Sequence, residues 1–140
     1  MEPIKLSYHV EGGDLVGAGE ASSQMKMTLK RLDLPPDIVR RCSICMYEGE
    51  INMVIHADGG TAEVEIAMDH VIIRLADTGP GIPDIDQAME EGFSTAGAPA
   101  RDLGFGAGMG LPNMKRYSDE ISVESTLGVG TTVTMCVNIP

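Results

Sequence analysis

The feature that most constrains this chain of 140 residues is a segment of about thirty residues, from Thr78 to Gly108, rich in glycine, proline, aspartate and alanine. Its composition predicts loop structure, with one turn of helix near Asp84 to Glu91. Compact domains seldom contain so long a loop unless the loop has a function. The elements on either side must therefore build the fold, and the segment is a candidate for binding a ligand.

Before this segment the sequence predicts a strand and two helices. Apolar and polar residues alternate from 4 to 10, which is the period of a half-buried strand. Asp14 is placed to cap a helix that runs to about Leu32. Two prolines and an aspartate then end this helix and start a second one, from about Pro36 to Ala57.

Two hairpins are predicted to complete the sheet. The first hairpin consists of a strand with alternating apolar residues, an Asp69-His70 turn and the more apolar strand 71–76. The alternating apolar residues of its first strand are Ala62, Val64, Ile66 and Met68. A third helix is expected from about Met109 to Tyr117, and two strands around 121–123 and 133–137 follow it. The pattern predicts one α+β domain over residues 1–140, with helices on one face of a mostly antiparallel sheet.

Charge and cysteine content exclude several classes of function. The formal net charge of −11 would repel nucleic acid and anionic membrane surfaces, so neither is an expected partner. No apolar run approaches the length of a membrane span or a signal peptide, and we expect a soluble, cytoplasmic protein. Three cysteines do not make a disulfide framework. Cys42 and Cys45 lie on one apolar helical stripe, which favours buried small side chains over a zinc site and leaves a redox role open.

The second predicted helix contains YEGEINMVIHA, which carries a carboxylate and an amide on one side. Glu48 and Asn52 lie roughly 40° apart around the axis, whereas Glu50 points roughly 160° away from Glu48. Such an oxygen-bearing pair at the edge of a core suits a hard cation such as Mg²⁺. The carboxylate could also accept a proton from an attacking hydroxyl or water. For this helix alone, a solvated glutamate beside a loop-bonded asparagine would be the favoured interpretation.

A second acidic residue, Asp77, ends the more apolar strand and precedes Gly79 and Gly81, which flank a proline. The glycines let the backbone turn sharply and leave the carboxylate facing a cleft, where it is suited to accept from an exocyclic amine. Asp-Thr-Gly by itself could also be a simple turn or the motif of an aspartic protease. The protease needs two such motifs or a symmetric dimer of an all-β chain, which this pattern does not offer.

Four glycines alternate in the stretch GFGAGMGL, from 104 to 111, at the start of the third predicted helix. Free N–H groups and the positive end of a helix dipole could meet phosphate oxygens there. The stretch is not a Walker A loop, because no Gly-Lys-Ser/Thr follows, and it is not a dinucleotide fingerprint after a parallel strand. The repeat alone is a weak signal.

Taken in order, these stretches resemble the N, G1, G2 and G3 boxes of the GHKL ATPase superfamily, which includes gyrase, Hsp90, MutL and the histidine kinases. The matching residues are Glu48 and Asn52, Asp77-x-Gly79-x-Gly81, Gly106-x-Gly108-x-Gly110, and Gly130-Thr131-Thr132. The resemblance covers nearly the whole chain. It implies a two-layer Bergerat fold, with three main helices on one face of a mixed, mostly antiparallel sheet, and it implies ATP and Mg²⁺ as cofactors.

The resemblance also implies roles for single residues. Glu48 would be the general base, Asn52 the Mg²⁺ ligand, Asp77 the adenine acceptor and Thr131 a second adenine contact. The segment 106–111 would be the phosphate-binding end of a lid over the nucleotide. The remaining nucleotide-binding residues that it implies are His56, Gly79, Gly81, Ile82, Ser94, Thr95, Gly106, Gly108, Met109, Gly110 and Leu111.

Within the superfamily the chain looks like the bacterial serine protein kinases of the anti-sigma and stressosome switch families, most closely over 89–97 and 108–116. A histidine kinase would need a phosphoacceptor helix pair, and gyrase, Hsp90 or MutL a transducer domain, neither of which is expected. The likeness implies a Mg-ATP-dependent serine/threonine kinase that phosphorylates a small partner of the STAS fold. The alternative is an ATP- or ADP-binding module that sequesters a sigma factor or other partner with little kinase activity. Whether the chain forms a homodimer stays open.

One departure from the switch kinases lies in the lid, which the insertion 98–105 lengthens. Arg101 within it could reach the γ-phosphate, although a solvated loop charge is the favoured interpretation. The lid contains no lysine, so neutralisation of phosphate charge is expected to fall on Mg²⁺ and backbone N–H groups.

Overall fold

The computed structural model of the protein describes residues 2–82, 85–89 and 110–140. The strands are β1 Ile4–Glu11, β2 Gly59–Ile66, β3 His70–Asp77, β4 Glu120–Thr126 and β5 Gly130–Asn138. The helices of this part of the chain are α1 Glu20–Arg31, α2 Pro36–His56, α3 Ile85–Ala88 and α4 Gly110–Tyr117. Each predicted element is therefore present, and α3 is the single helical turn expected inside the long segment.

The five strands form one sheet in the order β1-β2-β3-β5-β4. One row of facing residues crosses all of it and supplies apolar side chains to the helix layer: Leu6, Val64, Ile73, Met135 and Ile121. The period-two alternation of the sequence produces this row, because every second side chain of a strand points to the same face. The α+β prediction is confirmed. The expected mixed sheet is corrected, since the pairings of the described strands are all antiparallel.

Helix α2 is the centre of the core. The predicted apolar stripe is confirmed, because the buried residues of α2 include Ile38, Cys42, Cys45, Gly49 and Met53. Cys42 and Cys45 are fully buried free thiols, and burial raises the pKa of each to about 12. They act as small core side chains, because a thiol that ionises so late is a poor nucleophile and a poor metal ligand at neutral pH.

Helix α1 begins six residues later than the predicted cap at Asp14. The Asp14 carboxylate does accept a backbone N–H three residues on, that of Gly17, at 3.0 Å. That bond closes a turn within residues 12–19 and not the first turn of a helix. The residue before α1 is Gly19, which offers no capping side chain. The N–H groups at the start of α1 therefore need an acceptor from elsewhere.

That acceptor is Glu50 of α2, whose side chain is only 3% exposed. Its Oε2 accepts from the N–H groups of Gly19 at 3.0 Å and Ala21 at 3.2 Å. Its Oε1 accepts from the N–H of Ser22 at 2.9 Å. The positive end of the α1 dipole and three otherwise unpaired donors thus stabilise a buried carboxylate and join α1 to α2.

The first hairpin turn lies slightly before its predicted position. Pairing between β2 and β3 ends at Ile66 and Val71, and a bond of 2.9 Å from the Ala67 N–H to the His70 carbonyl closes the turn. Met68, expected to continue the strand alternation, lies in this turn and is 74% exposed. Among the described residues no helix combines the length and apolar character that crossing a bilayer requires.

Candidate active site

Glu48 lies where α2 meets α4, and its carboxylate is half-buried. Asn113 of α4 donates from Nδ2 to Glu48 Oε1 at 3.3 Å. Burial raises the pKa of Glu48 above the usual glutamate range, while the hydrogen bond from Asn113 acts in the opposite direction. A carboxylate that holds a proton more strongly than usual, at a boundary between two helices, is suited to act as a general base.

Asn52 lies one turn further along α2, against the first residue of α4. A Cβ atom on Gly110 would lie only 2.9 Å from Asn52 Oδ1 and 3.0 Å from Nδ2. Glycine at this position lets the backbone of α4 approach the amide without displacing it, whereas any side chain here would require the Asn52 amide or the start of α4 to shift.

The donor chemistry beside Gly110 fits Mg²⁺. The described residues contain no cluster of three or more His, Cys, Asp or Glu side chains that could hold a metal by themselves. Magnesium seldom needs such a cluster, because it keeps several waters and usually takes one or two protein oxygens together with phosphates of the substrate. Asn52 Oδ1 can supply one such oxygen.

Asp77, the last residue of β3, is held by the neighbouring strand. The N–H of Thr131 in β5 donates to Asp77 Oδ1 at 2.9 Å. Burial raises the pKa of Asp77 above the usual aspartate range, while the backbone hydrogen bond from Thr131 acts in the opposite direction. The bond orients the carboxylate through one oxygen, which suits Asp77 to accept a further hydrogen bond through the other.

The turn after Asp77 is bonded to the β4–β5 hairpin. The Gly79 N–H donates to the Val129 carbonyl at 3.3 Å, and the Gly128 N–H donates to the Pro80 carbonyl at 2.9 Å. Gly81 has φ of +79°, a left-handed conformation that glycine adopts without strain. The sharp turn expected from the sequence is therefore present and is fixed by backbone hydrogen bonds.

Ser125 of β4 links this turn to Thr131. Its Oγ accepts from the Ile82 N–H at 2.7 Å and lies 2.9 Å from Thr131 Oγ1. It also donates to the Gly130 carbonyl at 3.3 Å. The Ser125 hydroxyl thus joins the turn that follows Asp77 to the start of β5, whose Thr131 bonds Asp77.

Three further predicted site residues have different surroundings. His56, at the end of α2, is partly buried, and burial lowers its pKa. Ile82 is a partly buried residue packed against the core. Leu111 is 7% exposed and belongs to the core itself. Whether any of the three contacts a nucleotide stays a prediction.

Other predictions fall on residues outside the described ranges. These are the nucleotide-binding residues Ser94, Thr95, Gly106, Gly108 and Met109, and the insertion 98–105 with Arg101. Of the predicted phosphate-binding segment, the described part is Gly110 and Leu111.

Two residues of the site received no role from the sequence. Asn113 follows Gly110 by three positions, so helical spacing places both on one face, and this signal could have identified it. Ser125 has no comparable local signal, because one of its partners, Ile82, is 43 residues away in the chain.

Comparison with known protein families identifies the family to which the chain belongs. The family described as histidine kinase-, DNA gyrase B- and HSP90-like ATPase matches residues 43–140. That range contains Glu48, Asn52, Asp77, Gly110 and Thr131. The chain belongs to this ATPase family. The predicted superfamily is confirmed, and the helices packed on a five-stranded antiparallel sheet agree with it.

Relatives within the ATPase family include a kinase and anti-sigma factors. Serine/threonine-protein kinase RsbT of Bacillus subtilis (strain 168) is 38% identical over 97 residues, covering 66% of this chain and 67% of the relative. The anti-sigma F factor of Thermoanaerobacter sp. (strain X514) is 36% identical over 99 residues, covering 71% and 62%. That of Bacillus licheniformis is 30% identical over 111 residues, covering 75% and 73%. The chain therefore spans 62% to 73% of the length of these relatives.

Proposed function

We propose that the chain is a Mg-ATP-dependent serine/threonine protein kinase of the anti-sigma regulatory or switch-kinase type, which phosphorylates a small STAS-type partner protein. The observation that carries the proposal is Glu48, a carboxylate of raised pKa at the α2–α4 boundary, one helical turn from Asn52. A module that only binds nucleotide has no need of a base in that position. The similarity to a serine/threonine kinase supports the same assignment.

Glu48 would accept the proton of the attacking hydroxyl. As the hydroxyl oxygen of the partner bonds to the γ-phosphorus, the bond from that phosphorus to the β–γ bridging oxygen breaks and ADP leaves. The proton passes to the Glu48 carboxylate, whose raised pKa favours its capture.

Asn52 would hold Mg²⁺ through Oδ1, with Gly110 leaving room beside the amide. The ion would neutralise charge on the transferring phosphate. Because the chain carries a net charge of −11, local compensation of the nucleotide's charge is a requirement of this site.

Asp77 would select adenine. With Oδ1 bonded to the Thr131 N–H, the carboxylate can accept from the exocyclic amine of adenine through Oδ2. Guanine has a carbonyl at the corresponding ring position and would be repelled by a carboxylate. We therefore expect ATP to bind more tightly than GTP.

A second function has an observation of its own. Relatives at 36% and 30% identity are anti-sigma F factors, so this chain could bind a sigma factor under the control of its nucleotide. Such a module would share the site and would catalyse little transfer.

Labelling with radioactive ATP separates the two functions. The chain is incubated with Mg-ATP labelled in the γ-phosphate and with purified STAS-domain and sigma proteins from the same genome, and the labelled amino acid is identified. Phosphoserine or phosphothreonine on a STAS-domain protein, lost in Glu48→Gln, is the expected result. Phosphohistidine would overturn the kinase class. Nucleotide-dependent capture of a sigma factor without any labelling would establish the binding module instead.

A further inference from the structure

Helices α2 and α4 run antiparallel and contact each other at four successive levels. Gly110 lies against Asn52, and Asn113 bonds Glu48. Further along, the Cys45 thiol donates to the Met114 carbonyl at 3.8 Å. At the last level the Arg41 Nε donates to the Tyr117 carbonyl at 3.0 Å.

The last two levels hold α4 without help from the Asn113 side chain. Arg41 also forms an ion pair of 3.1 Å with Asp119, directly beyond the helix. Asp119 Oδ2 in turn accepts from the Asn138 N–H at 2.6 Å, which fixes the end of α4 to the sheet. Leu111 and Met114 bury the apolar side of α4 in the core. The Asn113 amide can therefore be removed while α4 keeps its place.

The bond from Asn113 acts on a side chain that would otherwise rotate. A glutamate has three side-chain torsions, and a proton acceptor must be held close to its reacting geometry, since misplacement by about 1 Å can cost about 10²-fold in rate. A single N–H donated to Oε1 fixes that oxygen and so limits the rotation of the carboxylate. An amide N–H also interacts better with the ionised carboxylate than with the neutral acid.

We infer that Asn113 is a positioning residue for phosphoryl transfer, whose amide holds the Glu48 carboxylate in the orientation that accepts the proton. The inference rests on the proposed role of Glu48 as the base. It predicts that Asn113 affects the rate of transfer and leaves nucleotide binding nearly unchanged, because its partner is Glu48 and not Asn52.

Two substitutions test this inference, one that removes the side chain and one that keeps its shape. Asn113→Ala removes the amide and leaves a gap, whereas Asn113→Asp keeps the shape but replaces the donor by a second carboxylate. Conversion of Mg-ATP to ADP is followed in a single turnover with acceptor protein present, and nucleotide affinity is measured with a fluorescent ADP analogue. We expect the rate to fall about 10- to 100-fold in the alanine variant, and at least as far in the aspartate variant, with the affinity of both within about twofold.

Controls separate this inference from the proposed function. Lys115→Ala changes an exposed residue of the same helix and should behave as wild type. Asn113→Ala in a Glu48→Gln background should lose no more than Glu48→Gln alone, because both changes act on one group. If Glu48→Gln is inactive while both Asn113 variants turn over normally, the inference is wrong and the base stands. If Glu48→Gln turns over normally, the base itself is wrong. Weakened nucleotide binding at an unchanged rate would assign Asn113 a structural role and overturn the inference.

Discussion

The two sides of α2 hold two glutamates in opposite ways. Glu50, toward α1, is 3% exposed and accepts three backbone N–H groups. Glu48, toward α4, is half-buried and accepts one side-chain N–H at 3.3 Å. Only Gly49 separates them in the chain, and they differ in how many hydrogen bonds their carboxylate oxygens accept.

This difference separates a structural carboxylate from the one that we propose to be catalytic. The oxygens of Glu50 are engaged by donors that belong to the backbone and cannot leave, so the group stabilises the junction of α1 and α2. The oxygens of Glu48 keep capacity for a further partner, and burial raises the pKa of that carboxyl. Sites of catalysis commonly contain such incompletely compensated groups, at some cost in stability.

The largest effect should follow from Glu48→Gln. The change keeps the shape and removes the proton acceptor, so we expect transfer to fall by about 10³-fold with nucleotide affinity nearly unchanged. Because burial disfavours the ionised carboxylate, the melting temperature should stay the same or rise. Single-turnover kinetics and thermal unfolding of the same preparation check both parts. A clear drop in melting temperature would show that Glu48 is also structural.

The same substitution at Glu50 should have the opposite outcome. The amide nitrogen of Gln cannot accept a hydrogen bond, so at least one of the Gly19, Ala21 and Ser22 N–H groups loses its acceptor. We expect a loss of about 2 kcal/mol in the free energy of unfolding, measured by urea denaturation. Activity per folded molecule should remain. An unchanged midpoint would remove the contrast between the two glutamates.

Gly110→Ala tests the side of α2 that faces α4 without changing a charge. The added methyl would lie within 2.9 Å of Asn52 Oδ1, so either the amide or the start of α4 must move. We expect the affinity for Mg-ATP to fall about tenfold through misplacement of Asn52, measured by calorimetry with and without Mg²⁺. If the loss is equal in both conditions, the displaced group is not the metal ligand.

The smallest effect is a shift in pH dependence. Because burial raises the pKa of Glu48 above the ordinary value of 4.5, the base is protonated, and transfer is lost, as the pH falls through that raised pKa. The acid limb of kcat/KM should therefore have its midpoint above 4.5. The residual activity of Glu48→Gln should lack this limb. A midpoint at or below the ordinary value would mean that bound solvent or the Asn113 bond outweighs burial.

The order of elements could be predicted from the sequence because it depends on local periodicity. The stripe of α2 and the pairing of Glu48 with Asn52 follow from 3.6 residues per turn, and the strands from alternation. The expected mixed sheet was wrong, since the resemblance implied some parallel pairing and the described strands pair only antiparallel.

The details that could not be predicted depend on contacts between distant residues. Asp14 has the local signature of a helix cap, but the true acceptor for α1 is Glu50, which lies 28 to 31 residues from its donors. Ser125 likewise joins Ile82 and Thr131 through space. Periodicity gives the face on which a side chain lies and carries no information about which partner from another element will meet it.

The hydrogen bond that orients Asp77 comes from the main chain of residue 131 and not from a side chain. Substitution at Thr131 can therefore alter the side-chain contacts of this residue, such as that with Ser125, while the donor to Asp77 remains. Proline, which lacks an N–H, is the exception. The adenine selectivity proposed for Asp77 and the side-chain contacts of residue 131 can thus change independently as the sequence diverges, because one depends on backbone geometry and the other on a replaceable side chain.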